Sequence, residues 1–221
     1  MKVQRIEIAP SILAADFRRL EREVKEVEQA GADRIHCDIM DGHFVPAITF
    51  GPLVVECVRR SVSLPLDVHL MISNPRDHIR DFCHAGASFL TVHAEVCPDI
   101  PGIMKEIRSH NVAAGITVNP DAPVDLFLPY LNCIDQVLIM TVYAGRGGQQ
   151  FIPETVPKIN AVAQAARQTQ TSLSIEVDGG INEKTAGVCV QNGATVVVAG
   201  SFIFGAPDYR ERIVSLRNAV Q

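Results

Sequence analysis

Residues 34–46 of the chain read RIHCDIMDGHFVP. The first half of this stretch suits a β-strand, and its second half is a turn that contains glycine. Side chains on a strand alternate between two faces, so His36, Asp38 and Met40 share one face. An imidazole beside a carboxylate at a strand end predicts two metal ligands, or an acid/base pair next to a metal. The alternative is a buried histidine with ordinary hydrogen bonds beside an aspartate that begins a turn.

Segments typical of strands and helices alternate from this stretch to both ends of the chain. The strands are predicted at residues 6–9, 34–38, 66–70, 89–93, 113–118, 136–140, 173–177 and 195–199. The helices that follow them are predicted at about 16–30, 52–61, 75–85, 100–110, 123–131, 154–168, 183–192 and 208–220. Eight βα units with no linker predict an α/β fold, a TIM (β/α)8 barrel that forms a single domain over residues 1–221. A doubly wound open sheet is the alternative architecture.

The composition narrows the class of protein. The chain has 221 residues, of which 47% are hydrophobic, and its formal net charge is -5. This charge, without any basic cluster, argues against a nucleic-acid partner. There is no run of about 18 apolar residues to predict a membrane span, and residues 1–7 do not resemble a signal peptide. We therefore expect a cytoplasmic protein with no membrane partner.

The cysteines are scattered without C-x-x-C spacing, at Cys37, Cys57, Cys83, Cys97, Cys133 and Cys189. We expect buried, reduced thiols rather than a disulfide framework. Cys37 points away from the face that His36 and Asp38 share, so we expect it to pack in the core.

Ionisable side chains collect where the predicted strands end, the edge at which TIM barrels hold their active sites. They are His36, Asp38, His69 and Asp178. Two imidazoles and two carboxylates without a thiolate suit one divalent ion, Zn²⁺, Fe²⁺, Mn²⁺ or Co²⁺, and the residue types do not decide among these. Four inward ionisable groups in one layer would be costly to bury without a function. Asp67 and Glu176 lie one layer deeper on the same faces, and we expect them to be hydrogen-bonded internally.

Glycines follow three consecutive strands, at Gly145, Gly147 and Gly148, at Gly179 and Gly180, and at Gly200 before Ser201. Backbone N–H groups in such turns favour a phosphate, which TIM barrels commonly bind near strands seven and eight. These turns predict a phosphorylated small molecule as the ligand. Met40, Met71 and Met140 also end strands, either as core filler or as an apolar ceiling over a substrate.

Six segments resemble the ribulose-phosphate 3-epimerase family, and together they span nearly the whole chain. They are residues 9–16 (APSILAAD), 36–46 (HCDIMDGHFVP), 67–71 (DVHLM), 140–142 (MTV), 147–151 (GGQQF) and 176–180 (EVDGG). The resemblance implies a metal-dependent TIM barrel that interconverts D-ribulose 5-phosphate and D-xylulose 5-phosphate, a step of the pentose phosphate pathway. It also implies a homo-oligomer, either a dimer or a hexamer.

The resemblance assigns a role to each site residue. The metal ligands would be His36, Asp38, His69 and Asp178, and the two aspartates would also be the acid/base groups, one on each face of C3. A metal-stabilised enediolate would lie between the two proton transfers. Substrate would contact Ser11, His69 and Asp178, the cap of Met40, Met71 and Met140, and the phosphate loops with Gly145, Arg146, Gly147, Gly148, Gly179, Gly180, Gly200 and Ser201.

One loop departs from the family pattern. After residues 140–142 the family usually has an acidic residue or Asn and then Pro-Gly-Phe-Gly-Gly, whereas residues 143–148 here read YAGRGG. We expect Arg146 to reach the phosphate or another anionic group. The change leaves a 3-epimerase of a hexulose 6-phosphate, such as D-allulose 6-phosphate, as an alternative. A decarboxylase or aldol-type lyase is disfavoured because no lysine follows Asp38 in the Asp-x-Lys-x-x-Asp pattern, and a non-catalytic sugar-phosphate-binding barrel is a further alternative.

Overall fold

The computed structural model describes residues 5–220. The expectation that residues 1–7 are not a signal peptide therefore lies partly outside the described residues. Eight β-strands form one sheet. Their bounds are Glu7–Pro10 (β1), Ile35–Met40 (β2), Leu66–Met71 (β3), Phe89–His93 (β4), Ala113–Val118 (β5), Gln136–Met140 (β6), Ser174–Asp178 (β7) and Val196–Ala199 (β8). Each lies within two residues of its predicted bounds.

All pairings between these strands are parallel, and the order β1-β8-β7-β6-β5-β4-β3-β2 follows the chain around the sheet. The sheet closes between β1 and β2 through a parallel bridge from Ser11 to His36. The backbone N–H groups of Asp33 and Arg34 both donate to the carbonyl of Ile8 at the same seam. The TIM barrel prediction is therefore confirmed, and the doubly wound open sheet is wrong.

The α-helices lie between the strands and after the last one. Their bounds are Leu20–Ala30 (α1), Pro52–Ser61 (α2), Ile79–His84 (α3), Ile100–Ser109 (α4), Val156–Thr169 (α5), Glu183–Gln191 (α6), Ser201–Phe204 (α7) and Tyr209–Ala219 (α8). Helix α1 illustrates the pattern, because Val24 and Val27 are buried on one face. Gly31 then ends it at φ 99°, a left-handed conformation that only glycine adopts without strain.

One helix prediction is wrong, and one short helix was not predicted. Residues 123–131 form no α-helix but two 3₁₀ segments, Val124–Leu126 and Leu128–Cys133. Pro129 has no N–H to donate to a carbonyl four residues earlier, so an α-helix cannot run through it without losing a bond. The short helix α7 was not predicted, because four residues carry no helical periodicity.

Strand register places the polar side chains at matching heights inside the barrel. Asp38 on β2 pairs with His69 on β3, and Met140 on β6 pairs with Asp178 on β7. Cys37 lies in the buried apolar core, as predicted. The expectation that all cysteines are buried is wrong, since Cys57 on α2 is exposed and Cys133 is half-buried. All six cysteines are unpaired.

None of the helices within residues 5–220 is both long enough and apolar enough to cross a bilayer.

Candidate metal centre and active site

The structure brings together the four side chains that the sequence proposed as metal ligands. His36, Asp38, His69 and Asp178 each offer one ligand atom, and these atoms all lie within 4.8 Å of one another. His36 Nε2 and His69 Nδ1 both lie 3.3 Å from Oδ1 of Asp38. Two imidazole nitrogens and two carboxylates at this spacing form a donor set that suits a divalent transition metal.

The hydrogen bonds of His36 test whether a cation fits. His36 Nδ1 lies 3.2 Å from Oδ2 of Asp67, so its proton points away from the cluster. His36 Nε2 is buried and has no hydrogen-bond partner within residues 5–220. A lone pair on Nε2 would face the negatively charged oxygen of Asp38, which is unfavourable unless a positive charge lies between them. The arrangement therefore fits a bound cation.

The pKa of His36 shows the same preference for positive charge, whereas the pKa of His69 favours its neutral form. Burial alone would lower the pKa of His36, but the carboxylates of Asp38, Asp67 and Glu176 raise it well above its usual value. Burial lowers the pKa of His69 to about 4, aided by the neighbouring His93 and opposed by its hydrogen bond to Asp38.

The pKa values of the two aspartates are shifted in opposite directions. Burial would raise the pKa of Asp38, but the charge and hydrogen bond of His36 hold it below its usual range. Burial and the nearby charge of Asp38 raise the pKa of Asp178 to about 7. One carboxylate is therefore set as a base and the other can carry a proton near neutral pH. Environments that separate two pKa values in this way are typical of acid/base pairs.

Asp67 and Glu176 lie below the cluster and are hydrogen-bonded, as predicted. Nε2 of Gln136 donates to Oδ1 of Asp67 at 2.9 Å and to Oε2 of Glu176 at 2.8 Å. With His36 they form a second group whose donor atoms lie within 4.8 Å. Neither carboxylate lines the cavity described next, so we assign them to the support of His36.

A cavity of about 530 Å³ opens at the carboxyl ends of the strands. Every proposed substrate-binding residue except His69 lines it. These residues are Ser11, Met40, Met71, Met140, Gly145, Arg146, Gly147, Gly148, Asp178, Gly179, Gly180, Gly200 and Ser201. His69 is fully buried and its Nδ1 faces Asp38, so its position suits a metal ligand better than a substrate contact.

Ser11 is placed to orient a carboxylate. Its Oγ donates to Oδ2 of Asp38 at 2.6 Å. The same hydroxyl oxygen accepts from the backbone N–H of Leu13 and so caps a 3₁₀ turn at residues 12–14. Asp38 therefore has one oxygen toward the two histidines and the other held by Ser11.

The three methionines form an apolar wall of the cavity. Met40 and Met71 pack with Val45, and Met140 packs with Leu138 and Val142. All three methionines are buried, so they serve both as packing and as cavity lining.

Two polar residues at the end of β4 lie close to this site, and the sequence analysis gave them no role. His93 stacks on His69 with 5.1 Å between ring centroids, and Nδ1 of His93 lies 3.4 Å from Oε2 of Glu95. Their only signal in the sequence is a histidine and a glutamate two residues apart at a strand end.

Comparison with known proteins identifies the family. The model of the ribulose-phosphate 3 epimerase family matches residues 7–204. The chain belongs to this family.

Relatives match along nearly the full length of the chain. A ribulose-phosphate 3-epimerase of Bacillus subtilis (strain 168) is 48% identical over 215 residues, which cover 97% of this chain and 99% of the relative. One from Synechocystis sp. is 45% identical over 97% of this chain and 94% of the relative. The chloroplastic ribulose-5-phosphate-3-epimerase of Arabidopsis thaliana is 44% identical over 95% of this chain and 75% of its own length.

Solved structures support the barrel fold. KGPDC from Streptococcus mutans superposes with a TM-score of 0.74 at 13% identity and covers 98% of both chains. Orotidine 5'-phosphate decarboxylase from Pyrococcus horikoshii OT3 gives a TM-score of 0.70 at 18% identity, covering 96% of this chain and 98% of its own. At these identities the likeness concerns the fold alone.

Proposed function

We propose that the protein is a metal-dependent epimerase that interconverts D-ribulose 5-phosphate and D-xylulose 5-phosphate. The observation that carries the proposal is the pair Asp38 and Asp178, which line one cavity beside two histidines and have pKa values shifted in opposite directions. The full-length similarity to ribulose-phosphate 3-epimerases supports the choice of substrate.

The chemistry needs two proton-transfer groups. Inverting a carbon next to a carbonyl requires a proton to leave from one face and return on the other. In one direction the deprotonated carboxylate of Asp38 removes the C3 proton, and the protonated carboxyl of Asp178 returns one on the opposite face. In the reverse direction the two residues exchange roles. The hydroxyl of Ser11 holds the Asp38 carboxylate in a fixed orientation throughout.

His36 Nε2, His69 Nδ1 and one oxygen each of Asp38 and Asp178 would hold one divalent ion, Zn²⁺, Fe²⁺, Mn²⁺ or Co²⁺. When bound, the ion supplies a Lewis acid that favours negative charge on the substrate oxygens as the C3 proton leaves. We propose that Asp67 keeps the Nδ1 proton of His36 and so leaves Nε2 free for the ion.

The other cavity residues would orient the substrate and exclude water. The backbone N–H groups of Gly147, Gly148, Gly179, Gly180, Gly200 and Ser201 would bind the phosphate. The wall of Met40, Met71 and Met140 would cover the reacting carbon and keep solvent away from the proton transfers.

Exchange of the C3 proton with solvent tests the acid/base assignment. We expect the metal-loaded wild type to interconvert the two sugars in D₂O and to place deuterium at C3, as followed by NMR. Asp38→Asn and Asp178→Asn should each lower kcat at least about 100-fold, because each removes one proton-transfer group. Asp77→Asn, an exposed carboxylate on the 3₁₀ turn before α3, is the matched control. Full interconversion by Asp178→Asn would contradict the assignment.

Similarity to ribulose-phosphate 3-epimerases supports the pentulose phosphate and not the alternative hexulose 6-phosphate, but the loop with Arg146 departs from the family pattern. Arg146 replaces an aromatic residue of the family loop, lines the cavity and has no ion-pair partner within residues 5–220. We propose that its guanidinium binds the phosphate or another anionic group. Arg146→Phe should then raise KM about fivefold, corresponding to about 1 kcal/mol, and weaken its dependence on salt. An unchanged KM and salt dependence would contradict this role, and kcat/KM on both sugars identifies the preferred substrate.

We further propose that the protein acts in the cytoplasm as a homo-oligomer, a dimer or a hexamer, and that its chain forms one domain over residues 1–221. The family resemblance supports the oligomer, and light scattering coupled to size-exclusion chromatography would measure it.

A further inference from the structure

His69 has a second ring nitrogen that faces away from the proposed metal ion. Its Nε2 lies 3.0 Å from Nε2 of His93, and both side chains are fully buried. A hydrogen bond between two imidazole nitrogens needs one N–H donor and one lone-pair acceptor. The direction of this bond therefore determines whether Nδ1 of His69 carries a proton or a lone pair.

The other ring nitrogen of His93 lies beside a carboxylate, that of Glu95. Nδ1 of His93 is buried and lies 3.4 Å from Oε2 of Glu95, a contact within ion-pair distance, and it has no hydrogen-bond partner within residues 5–220. A carboxylate has no proton to donate and its negative charge favours an N–H over a lone pair beside it, so this contact favours the tautomer of His93 with the proton on Nδ1 and a lone pair on Nε2. His69 then donates from Nε2, which leaves its Nδ1 free on the side of Asp38.

We propose that Glu95 is a positioning residue that, through His93, holds His69 in the tautomer whose Nδ1 can bind a metal ion. The inference rests on the proposed function, because it needs His69 to be a ligand. It gives His69 the same kind of support that His36 receives from Asp67, but through an intervening imidazole.

Glu95 is itself held in place by Asn119. Its Oε1 accepts from the backbone N–H of Asn119 at 2.8 Å and from the side-chain amide at 3.1 Å. Oδ1 of Asn119 in turn accepts from the backbone N–H of Ala144, at the start of the loop that carries Arg146. Oε1 of Glu95 is therefore occupied by Asn119, which leaves Oε2 on the side of His93.

A single amide substitution at position 95 should reverse the direction of the hydrogen bond between His69 and His93, while the side chain at that position keeps its shape. In Glu95→Gln, the amide oxygen can keep the bonds from Asn119, and the amide N–H₂ faces Nδ1 of His93. His93 would then carry its proton on Nε2 and donate to His69, so that Nδ1 of His69 carries the proton and cannot bind a metal. We expect the dissociation constant for Co²⁺ to rise at least about tenfold, the lower end of the effect of removing a ligand's hydrogen-bond partner.

The measurement is a titration of the chelator-stripped full-length protein with Co²⁺, followed by the absorbance of the bound ion. Glu154→Gln removes an exposed carboxylate and controls for the change in net charge. Equal Co²⁺ affinities of wild type and Glu95→Gln would overturn the inference and leave the proposed function intact. Failure of the wild type to bind Co²⁺ would overturn the proposed metal centre, and the inference with it.

Two further readouts separate positioning from packing. The amide oxygen of His93→Gln can still accept from His69, whereas His93→Leu offers no acceptor, so the Gln variant should bind Co²⁺ more tightly. In the wild type, ¹⁵N NMR of the histidine rings should show the proton on Nε2 of His69 and on Nδ1 of His93. The opposite tautomers, seen in a protein with no substitution, would overturn the inference.

Discussion

Asp41 shows how one carboxylate organises the turn beside the cavity. Its Oδ1 accepts from the backbone N–H groups of His43 and Phe44, and its Oδ2 accepts from the N–H of Ser73, each at 2.8 Å. An Asp-Gly pair such as residues 41–42 is typical of a tight turn, so the sequence itself indicates the local bonds. It did not predict the bond to Ser73, because that contact depends on the packing of two loops far apart in the chain.

The stability that Asp41 contributes should depend on pH. Burial would raise its pKa, but the N–H groups of Ser73, His43 and Phe44 lower it to about 2. In the unfolded chain the pKa of Asp41 is about 3.9. The stability that the carboxylate contributes is therefore complete above that pH, and it is lost as the pH falls through about 2. Asp41→Asn should therefore lower the free energy of unfolding by about 1–3 kcal/mol at pH 7, and the difference from wild type should shrink in acid.

Urea unfolding from pH 7 down to pH 2.5 measures this difference. Asp77→Asn, which removes an exposed carboxylate, should leave the free energy of unfolding nearly unchanged at each pH. A deficit for Asp41→Asn that stays constant over the whole range would show that the carboxylate charge is not what stabilises the turn.

Individual site residues divide into those that strand periodicity could predict and those it could not. His36, Asp38, His69 and Asp178 follow from alternation on a strand and from the rule that barrel sites lie at strand ends. The tautomers of His36 and His69 depend on side chains from other strands, Asp67 and His93, whose contacts no local pattern encodes. Cys57 was wrongly expected to be buried, because hydrophobicity alone does not say which face of α2 it occupies.

At the scale of elements, the Gly179–Gly180 turn after β7 has a backbone that other residues would strain. The two glycines have φ values of 122° and 64°. A Cβ atom on Gly180 would lie 2.5 Å from the backbone nitrogen of Phe151, and one on Gly179 would lie 2.8 Å from that of Val142. Since both neighbours are backbone atoms, the loops after β6 and β7 fit together only without side chains here.

Gly180→Ala should disturb the proposed phosphate site. The strained φ and the contact with Phe151 should cost about 1–3 kcal/mol of folding free energy, and the shifted N–H groups should raise KM for the sugar phosphate about tenfold, which corresponds to about 1.4 kcal/mol. Gly51→Ala is the control, because no heavy atom lies within 4 Å of its added Cβ. Steady-state kinetics and urea unfolding measure both effects, and an unchanged KM would argue that this turn does not contact the phosphate.

Strands were easier to predict than the segments between them. Strands such as β8 are continuous apolar runs and strands such as β2 alternate polar and apolar side chains, and both patterns are apparent in a sequence. The segment at residues 123–131 also has apolar residues at helical spacing, but Pro129 interrupts it and Phe127 is buried between two 3₁₀ segments instead. The wrong helix arose from giving periodicity more weight than the proline.

At the scale of the whole molecule, the barrel interior contains a polar layer around Arg34 at the start of β2. The guanidinium donates to Gln136 Oε1 and Glu7 Oε2 at 2.5 Å each and to Ser174 Oγ at 3.3 Å. It also lies 3.9 Å from the ring centroid of Phe89. Arg34 therefore links side chains from β1, β4, β6 and β7 across the barrel.

Arg34→Met should destabilise the barrel as a whole. The substitution leaves the buried carbonyl oxygen of Gln136 without its donor and Glu7 without its ion-pair partner, so we expect a loss of about 3 kcal/mol. Arg22→Met is the matched control, because Arg22 forms an exposed pair with Glu26 on α1 and should change stability by less than about 0.5 kcal/mol. Equal urea midpoints for the two variants would contradict this role of Arg34.

The global architecture was predictable because eight βα repeats permit few arrangements. The closure of the barrel was not, since it depends on the Ser11–His36 bridge and two bonds to the carbonyl of Ile8. The interior layers were predicted only where their residues sit at strand ends. Arg34 and Gln136 lie at strand starts, where a sequence gives no sign that a polar group points inward.

The central claim is that His36, Asp38, His69 and Asp178 hold one metal ion, and that the pKa values of the two aspartates among them are shifted in opposite directions. The most direct test is epimerisation of D-ribulose 5-phosphate by the chelator-stripped protein, before and after addition of Zn²⁺, Fe²⁺, Mn²⁺ or Co²⁺. We predict that activity is lost on stripping and returns with at least one of these ions. Full activity in the stripped protein, or none on pentulose or hexulose phosphates with any ion, would contradict the account.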